Sequence, residues 1–320
     1  MATKSRIQRV WDIIRGKRGW GAVVNIDDDA IPTHYGAHYI YSGEPANRIF
    51  REFIESERPG FVSRIGRTEL KAVSEFLNSI RKPQPTFSDE WRRRMKVQAG
   101  FFTPTDAMLT RFGCETLTMT READIFCVYH AVRGEEILCR DYLPAESFVC
   151  NFGPMYPFYF ENPWTESLAG KKVLVVHPFA KTIVKQYEKR ELLFADPKVL
   201  PQFQLSVIQA VQSSANNKCE FPDWFAALDH MNAQISEVDF DVALIGAGAY
   251  GPFLAHHCKK IGKKGIQMAS GVQLLFGIKG KRWTEPKSGQ PFEFINEHWV
   301  FPSEDERPAN PELVEGGCYW

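Results

Sequence analysis

Short apolar runs alternate along the chain with longer segments of helical periodicity. Runs typical of strands lie at 61–65, 124–129, 173–176, 242–245 and 265–268, and the run at 173–176 contains only Val and Leu. Strands of this kind are covered on both faces of a parallel sheet. Apolar residues recur every three or four positions at 70–80, from 223 to 235 and at 253–261, which predicts helices there. The alternation predicts an α/β fold, a Rossmann-like parallel sheet flanked by helices in a single main domain at 41–320.

The two ends of the chain follow other patterns. The first twenty residues carry six Lys or Arg and one acid, with Ile7, Val10, Trp11 and Ile14 at helical spacing. They predict a basic amphipathic helix in an N-terminal extension at 1–40, which either packs on the domain or contacts anionic lipid headgroups. The segment 283–320 is rich in Pro, Gly and aromatic residues and lacks periodicity. We expect it to wrap around the domain surface as an irregular tail.

Charge and cysteine content narrow the classes of function. The 320 residues include 39 Lys or Arg and 39 Asp or Glu, so no overall positive charge favours a nucleic-acid partner. The seven cysteines form no C-x-x-C pair, which argues against a zinc site and against a secreted disulfide framework. No apolar run is long enough to span a membrane. These features predict a soluble cytoplasmic protein, with contact at a membrane surface through the N-terminal helix as an option.

A glycine-rich loop follows the strand at 242–245 and precedes a helix. Gly246, Gly248 and Gly251 match the spacing G-x-G-x-x-G, with Tyr250 inside the loop. Glycines allow the backbone to approach a phosphate, and the helix N-terminus attracts its negative charge. A dinucleotide site also needs an acid about 20 residues later to hold the ribose, but residues 267–270 are Gln, Met, Ala and Ser. The loop therefore favours another diphosphate ligand, and a tight packing turn is the alternative.

A second group of candidate residues follows the strand at 61–65. Arg64, Gly66, Arg67 and Glu69 lie at its carboxyl end and on the first turn of the next helix, where open parallel sheets bind ligands. The two arginines can pair with phosphate oxygens. Glu69 can act as a base, hold a sugar hydroxyl or bind a metal. A solvated helix start is the alternative interpretation.

The strand at 173–176 also ends in polar residues. His177 can serve as a general base or bind a hydroxyl, and Lys181 is positioned to reach a phosphate. A histidine at a strand end can equally be structural.

The segment 61–70, with the sequence FVSRIGRTEL, resembles the R-I-G-D-G-E-x segment of the GT-D-type glycosyltransferases. The stretch 241–252 resembles the later glycine-rich segment of the same family, and weaker likeness extends over 173–181 and the region around Trp299. The resemblance implies a Rossmann-like enzyme that transfers a sugar from a nucleotide-diphosphate donor to a glycan. It also implies an Asp-x-Glu pair associated with a divalent metal. Here the glutamate is kept as Glu69, but Arg67 replaces the aspartate.

The residues and the resemblance together predict a glycosyltransferase. Its partners would be a nucleotide-sugar donor and a carbohydrate acceptor, including a lipid-linked one, but no nucleic acid. Glu69 and His177 are the base candidates, and Arg64, Arg67, Lys181 and the glycine loop are expected to bind the diphosphate. No metal site is predicted in the free protein and no cofactor is required, while Mn²⁺ or Mg²⁺ is expected at most with donor bound. An NAD(P)-dependent oxidoreductase and a non-catalytic glycan-binding or scaffold protein are the alternatives.

Overall fold

A computed structural model of the chain describes residues 33–80, 85–129, 134–285 and 292–320. The predicted N-terminal helix lies outside this part. The described residues form one sheet of nine strands in the order β1-β2-β5-β4-β3-β9-β8-β6-β7. The strands are β1 (His34–Tyr35), β2 (His38–Tyr41), β3 (Gly60–Ser63), β4 (Ile125–Val128), β5 (Phe148–Asn151), β6 (Lys172–His177), β7 (Gln204–Gln209), β8 (Val242–Ile245) and β9 (Lys264–Gln267). Only the β1–β2 pair is antiparallel.

Helices connect the strands along the chain. They are α1 (Gly43–Glu55), α2 (Arg67–Ser79), α3 (Asp89–Val97), α4 (Asp106–Thr120), α5 (Glu135–Asp141), α6 (Ala180–Tyr187), α7 (Arg190–Leu193), α8 (Trp224–Ser236), α9 (Gly251–Lys260), α10 (Ser270–Leu275) and α11 (Lys281–Thr284). The α/β fold with a mostly parallel sheet flanked by helices is therefore confirmed. The boundary expected after residue 40 falls inside β2, which pairs with β5 in the main sheet.

The sheet separates two apolar cores. Side chains of α2, α4, α8 and α9 pack on one face, which we call the first layer. Side chains of α1, α6 and α10 pack on the other face, the second layer. The alternation along each strand explains this division, because neighbouring residues such as Phe61 and Val62 point to opposite faces. Fully buried Val and Leu side chains in β6 and β8 contribute to both cores, as their uninterrupted apolar runs predict.

The C-terminal segment 292–320 belongs to the second layer. Trp299 and Trp320 are only 2% and 5% exposed, and both pack in the second core. Its short helical turns, Glu304–Glu306 and Pro311–Leu313, connect otherwise irregular backbone. The expectation of a surface tail was thus wrong in part: the segment is irregular, but it helps to close the core.

The order of the strands and the direction of their connections predict a crevice over the carboxyl end of β9. The loops after β3 and β8 lead into α2 and α9 in the first layer, whereas the loop after β9, between them in the sheet, leads into α10 in the second layer. Loops that part in this way at the carboxyl edge of a parallel sheet open a binding crevice.

None of the helices in the described residues has the length and apolar character needed to span a membrane.

Candidate functional site

The floor of the crevice is the end of β9. Ala269 follows this strand with φ 49° and ψ −128°, a backbone conformation that costs a residue other than glycine about 1–3 kcal/mol. Two buried polar atoms lie just below it, Ser63 Oγ and Gln267 Oε1, and neither has a hydrogen-bond partner among the described residues. They are on neighbouring strands, since the register pairs Val62 with Ile266. Strain and unpaired polar groups both mark this end of the sheet.

The loop after β3 forms one wall and carries two arginines. Arg64 is half-buried and Arg67 is exposed, and neither guanidinium forms a hydrogen bond or ion pair with any described residue. Both are therefore available to an anionic ligand. Arg64 lies in the loop directly after β3, and Arg67 and Glu69 lie on the first turn of α2.

Glu69 folds back over the loop. A Cβ atom added to Gly66 would lie 2.2 Å from its Oε2 atom, so a larger residue at position 66 would displace the carboxylate from this position. Burial raises the pKa of Glu69, and the nearby Glu315 carboxylate raises it further. The backbone N–H of Glu69 and the Arg64 guanidinium act in the opposite direction. A carboxyl group with a raised pKa is a better proton acceptor than an ordinary surface glutamate.

The opposite wall comes from residues that the sequence analysis did not identify. Arg282, at the start of α11, forms an ion pair with Glu315, and its Nη1 donates to the Tyr319 hydroxyl at 3.3 Å. Burial raises the pKa of Tyr319 to about 12, and Arg282 and Arg64 both oppose this shift. The charge of Arg64 therefore acts on Tyr319 as well as on Glu69. Because 282 and 315–319 lie in segments without periodicity, no local pattern predicts them.

Further contacts fix this wall to the end of β9. The Tyr156 hydroxyl lies 3.3 Å from Ser270 Oγ, directly after Ala269. The side-chain amide of Gln273 donates to the carbonyl of Tyr319 at 2.8 Å. The C-terminal segment is thereby anchored to α10, which starts at the crevice.

The three glycines of the loop after β8 have different roles. A Cβ atom on Gly246 would lie 2.5 Å from His177 Cδ2 and 2.8 Å from the Ala269 carbonyl, and one on Gly251 would lie 2.8 Å from Gln267 Cγ. These two glycines allow close packing of strand, loop and helix. Gly248 is different: it has a φ of 53°, is exposed, and would have nothing within 4 Å of its Cβ atom. Of these three glycines, Gly248 is the one whose backbone is open to solvent.

Tyr250 lies in the first core and does not face the crevice. It is 2% exposed and stacks on Trp224 with ring centroids 4.5 Å apart. Its hydroxyl lies 3.0 Å from Ser213 Oγ. The donor-binding role expected for Tyr250 is not supported by this position.

His177 is buried beside the glycine loop. The backbone N–H of Phe179 donates to its Nδ1 at 3.0 Å, and burial lowers its pKa to about 3. The ring is therefore neutral near pH 7, with Nδ1 already used as an acceptor and the proton on Nε2. Such a ring has no lone pair left to take a proton, so the structure does not favour His177 as the catalytic base.

Lys181 lies apart from the arginine loop. It is exposed on the first turn of α6 and forms an ion pair with Asp305. Glu306 accepts the backbone N–H of Lys181 at 2.7 Å and so caps this helix. The structure gives Lys181 a role at the surface of the C-terminal segment and does not bring it to the two arginines.

One of the two acidic residues that the family resemblance associates with a metal is missing from this chain. The position of the expected aspartate is occupied by the guanidinium of Arg67. Among residues 33–80, 85–129, 134–285 and 292–320, no group of three His, Cys, Asp or Glu side chains is arranged to hold a metal ion. The Glu315 carboxylate acts on Glu69 electrostatically, but it is already paired with Arg282.

No family model matches the chain, and a search of curated proteins found no significant match. It is similar to a solved structure described as a selenomethionine-substituted domain of unknown function 1792 (DUF1792), with 10% sequence identity and a TM-score of 0.37. The match covers 80% of this chain and 92% of the other.

Proposed function

We propose that this protein is a glycosyltransferase that transfers a sugar from a nucleotide-diphosphate donor to a hydroxyl of a carbohydrate acceptor. One observation carries the proposal: two arginines that form no hydrogen bond or close ion pair within the described chain precede a glutamate of raised pKa at the carboxyl edge of a parallel sheet. The arrangement supplies a cationic place for a leaving diphosphate and a base for an incoming hydroxyl.

The diphosphate is placed over the end of β9, between the arginine loop and Gly248. These two loops follow β3 and β8, which are separated in the sheet only by β9. Two strand spacings amount to about 9.6 Å, a gap that a diphosphate can bridge. Arg64 and Arg67 provide charge on one side, and the backbone of Gly248 provides close approach on the other.

The chemical step needs one proton acceptor and one charge stabiliser. The acceptor hydroxyl oxygen forms a bond to the anomeric carbon of the sugar while the bond from that carbon to the β-phosphate oxygen breaks. The hydroxyl proton passes to Glu69, and the bonding electron pair leaves with the nucleoside diphosphate. Arg64 and Arg67 stabilise the charge that develops there, a service that a divalent metal would otherwise give.

Titration with nucleotides tests the donor class. UDP, GDP, CDP, NAD and NADP are added to the full chain, and binding is followed by calorimetry. We expect one nucleoside diphosphate to bind more tightly than NAD and NADP, and transfer or hydrolysis with the matching nucleotide sugar. Glu69→Gln should keep nucleotide affinity and lose about 10²- to 10⁴-fold in turnover. Binding of NAD or NADP alone would favour an oxidoreductase, and tight nucleotide binding without turnover would favour a non-catalytic protein.

The same titration in EDTA tests the role of Arg67. If its guanidinium replaces a metal, wild-type affinity is unchanged by EDTA and Arg67→Ala binds the diphosphate more weakly. Arg67→Asp should recover binding only when Mn²⁺ or Mg²⁺ is added. Loss of wild-type binding in EDTA, with Arg67→Ala unaffected, would show that the residue points away from the ligand.

A further inference from the structure

The start of α11 and the end of the chain are locked together at the crevice. The backbone N–H of Arg282 donates to the carbonyl of Cys318 at 2.9 Å. A Cβ atom on Gly280 would lie 2.5 Å from the carbonyl oxygen of Tyr319, so the two segments approach as closely as a glycine allows. The position of Arg282 is therefore fixed by backbone contacts, independently of its side chain.

The guanidinium of Arg282 is held in one orientation. It lies over the Tyr319 ring, with 4.7 Å from its central carbon to the ring centroid, and donates to the Tyr319 hydroxyl. It also forms an ion pair with the Glu315 carboxylate, and it interacts with the Cys318 side chain. The side chain is still 37% exposed, so a ligand in the crevice can reach it.

Glu315 reaches Arg282 from a strained turn. Its φ is 49°, and the next two residues, Gly316 and Gly317, have φ of 73° and 76°. Three successive residues in the left-handed region form a turn that two glycines make tolerable, whereas Glu315 itself pays the steric penalty. The carboxylate is 56% exposed and also lies close enough to Glu69 to raise the pKa of that residue. The Glu315 carboxylate thus pairs with Arg282 and also acts electrostatically on Glu69.

We infer that Arg282 binds the donor diphosphate together with Arg64, and that the Glu315 carboxylate occupies this position until the diphosphate displaces it. The inference rests on the proposed function and adds to it a third arginine and a built-in competitor. A guanidinium held by an aromatic ring presents its N–H groups in a fixed fork, which suits two phosphate oxygens. A diphosphate carries more charge than one carboxylate, and its arrival lets Glu315 leave the strained turn and the neighbourhood of Glu69.

The test compares variants of both partners with UDP and with inorganic pyrophosphate as probes. Arg282→Ala should weaken binding of either probe by about 10- to 100-fold, and Arg282→Lys should bind with intermediate affinity. Glu315→Gln removes the competing charge and should tighten binding by about 2- to 5-fold. In the double variant the gain from Glu315→Gln should disappear, because the carboxylate then has no site to block.

A matched control exists on α4. Arg111 pairs with Glu115 at 2.6 Å and lies 3.8 Å from the centroid of the Phe225 ring, so it has the same two kinds of partner as Arg282. Arg111→Ala and Glu115→Gln should leave the affinity for both probes unchanged. Thermal unfolding of every variant shows whether the C-terminal segment stays folded, and Arg282→Lys keeps the test valid if Arg282→Ala is unstable.

The outcomes separate this inference from the proposed function. Wild-type binding of UDP that is unchanged in Arg282→Lys, Arg282→Ala and Glu315→Gln overturns the inference and leaves the proposed function in place. Binding of pyrophosphate that depends on Arg282, without binding of any nucleoside diphosphate, supports the anion site and overturns the proposed donor. No binding of either probe by wild type or by Glu315→Gln overturns both.

Discussion

His177 shows what a buried position does to a residue whose type suggests catalysis. A histidine at the end of a parallel strand is a reasonable base from sequence alone, because unperturbed imidazole titrates near neutral pH. In the structure its Nδ1 accepts a backbone N–H and the ring packs against Gly246. The residue shapes the glycine loop, and the sequence holds no signal that separates this role from proton transfer.

The buried neutral ring makes stability depend on pH. Burial lowers the folded-state pKa of His177 to about 3. As the pH falls below about 6.5, His177 therefore binds a proton in the unfolded chain but not in the folded chain. Stability should therefore decrease with acidification. His177 alone contributes a loss of about 2–3 kcal/mol between pH 7 and pH 4.5, measurable by urea unfolding at several pH values.

Replacement of the histidine checks this assignment. His177→Gln should be less stable than wild type at pH 7 but should lose part of the pH dependence. Some dependence remains, because burial also lowers the pKa of His256. His230→Gln, at an exposed position of α8, should keep the wild-type slope. An identical slope in His177→Gln and wild type would contradict the buried neutral state.

At the scale of elements, the β8–α9–β9 unit contains two kinds of glycine: those that allow close packing, and Gly248, which is a candidate for ligand binding. Gly265 in β9 lies directly under α9: an added Cβ atom would be 2.5 Å from the Ala255 carbonyl oxygen and 2.6 Å from its Cα atom. Backbone atoms cannot yield as a flexible side chain can, so this contact sets the distance between helix and sheet.

Alanine substitutions of these glycines should affect the free energy of unfolding and the affinity for nucleotide to different degrees. Gly265→Ala must push α9 away from β9, which we expect to destabilise the protein by about 3 kcal/mol without changing nucleotide affinity in the folded fraction. Gly248→Ala should cost about 1 kcal/mol for its φ of 53° and should weaken nucleotide binding as well. Calorimetric unfolding and nucleotide titration measure the two effects.

Gly262 provides the control for strain. It has a φ of 78° and, like Gly248, nothing within 4 Å of an added Cβ atom, but it precedes the amino end of β9. Gly262→Ala should therefore lose similar stability and retain full affinity. Equal affinity in Gly248→Ala and wild type would show that the donor does not approach the glycine loop.

Much of the central sheet could be predicted because its strands are covered on both faces. The strand expected at 242–245 is β8 to the residue, and that at 173–176 is the centre of β6. The strands at the two edges of the sheet are harder to predict from sequence, because β7 is only partly buried and β1 contains two residues. Polar residues on the exposed sides of these strands interrupt the apolar run that marks a strand buried on both faces.

At the scale of the whole molecule, the candidate site joins parts of the chain that are far apart in sequence. The arginine loop at 64–69 could be predicted, because it directly follows a buried strand. The wall at 282 and 315–319 could not, since irregular backbone has no period to read and its place depends on contacts such as that between Gln273 and the Tyr319 carbonyl. A sheet edge that gathers several loops makes such sites common in parallel folds.

The thiol of Cys318 gives the closed C-terminal turn a chemical reporter. Its Sγ lies 3.5 Å from Glu315 Oε2, and burial raises its pKa to about 11, so it should react slowly with alkylating reagents. Exposed Cys114 should react first and serve as an internal reference. If a diphosphate displaces Glu315, pyrophosphate should speed the labelling of Cys318 relative to Cys114, as read by peptide mass spectrometry. If pyrophosphate does not change the ratio of the Cys318 and Cys114 labelling rates, the turn stays closed when the anion is present. Labelling of Cys318 would then report only unfolding of the whole protein.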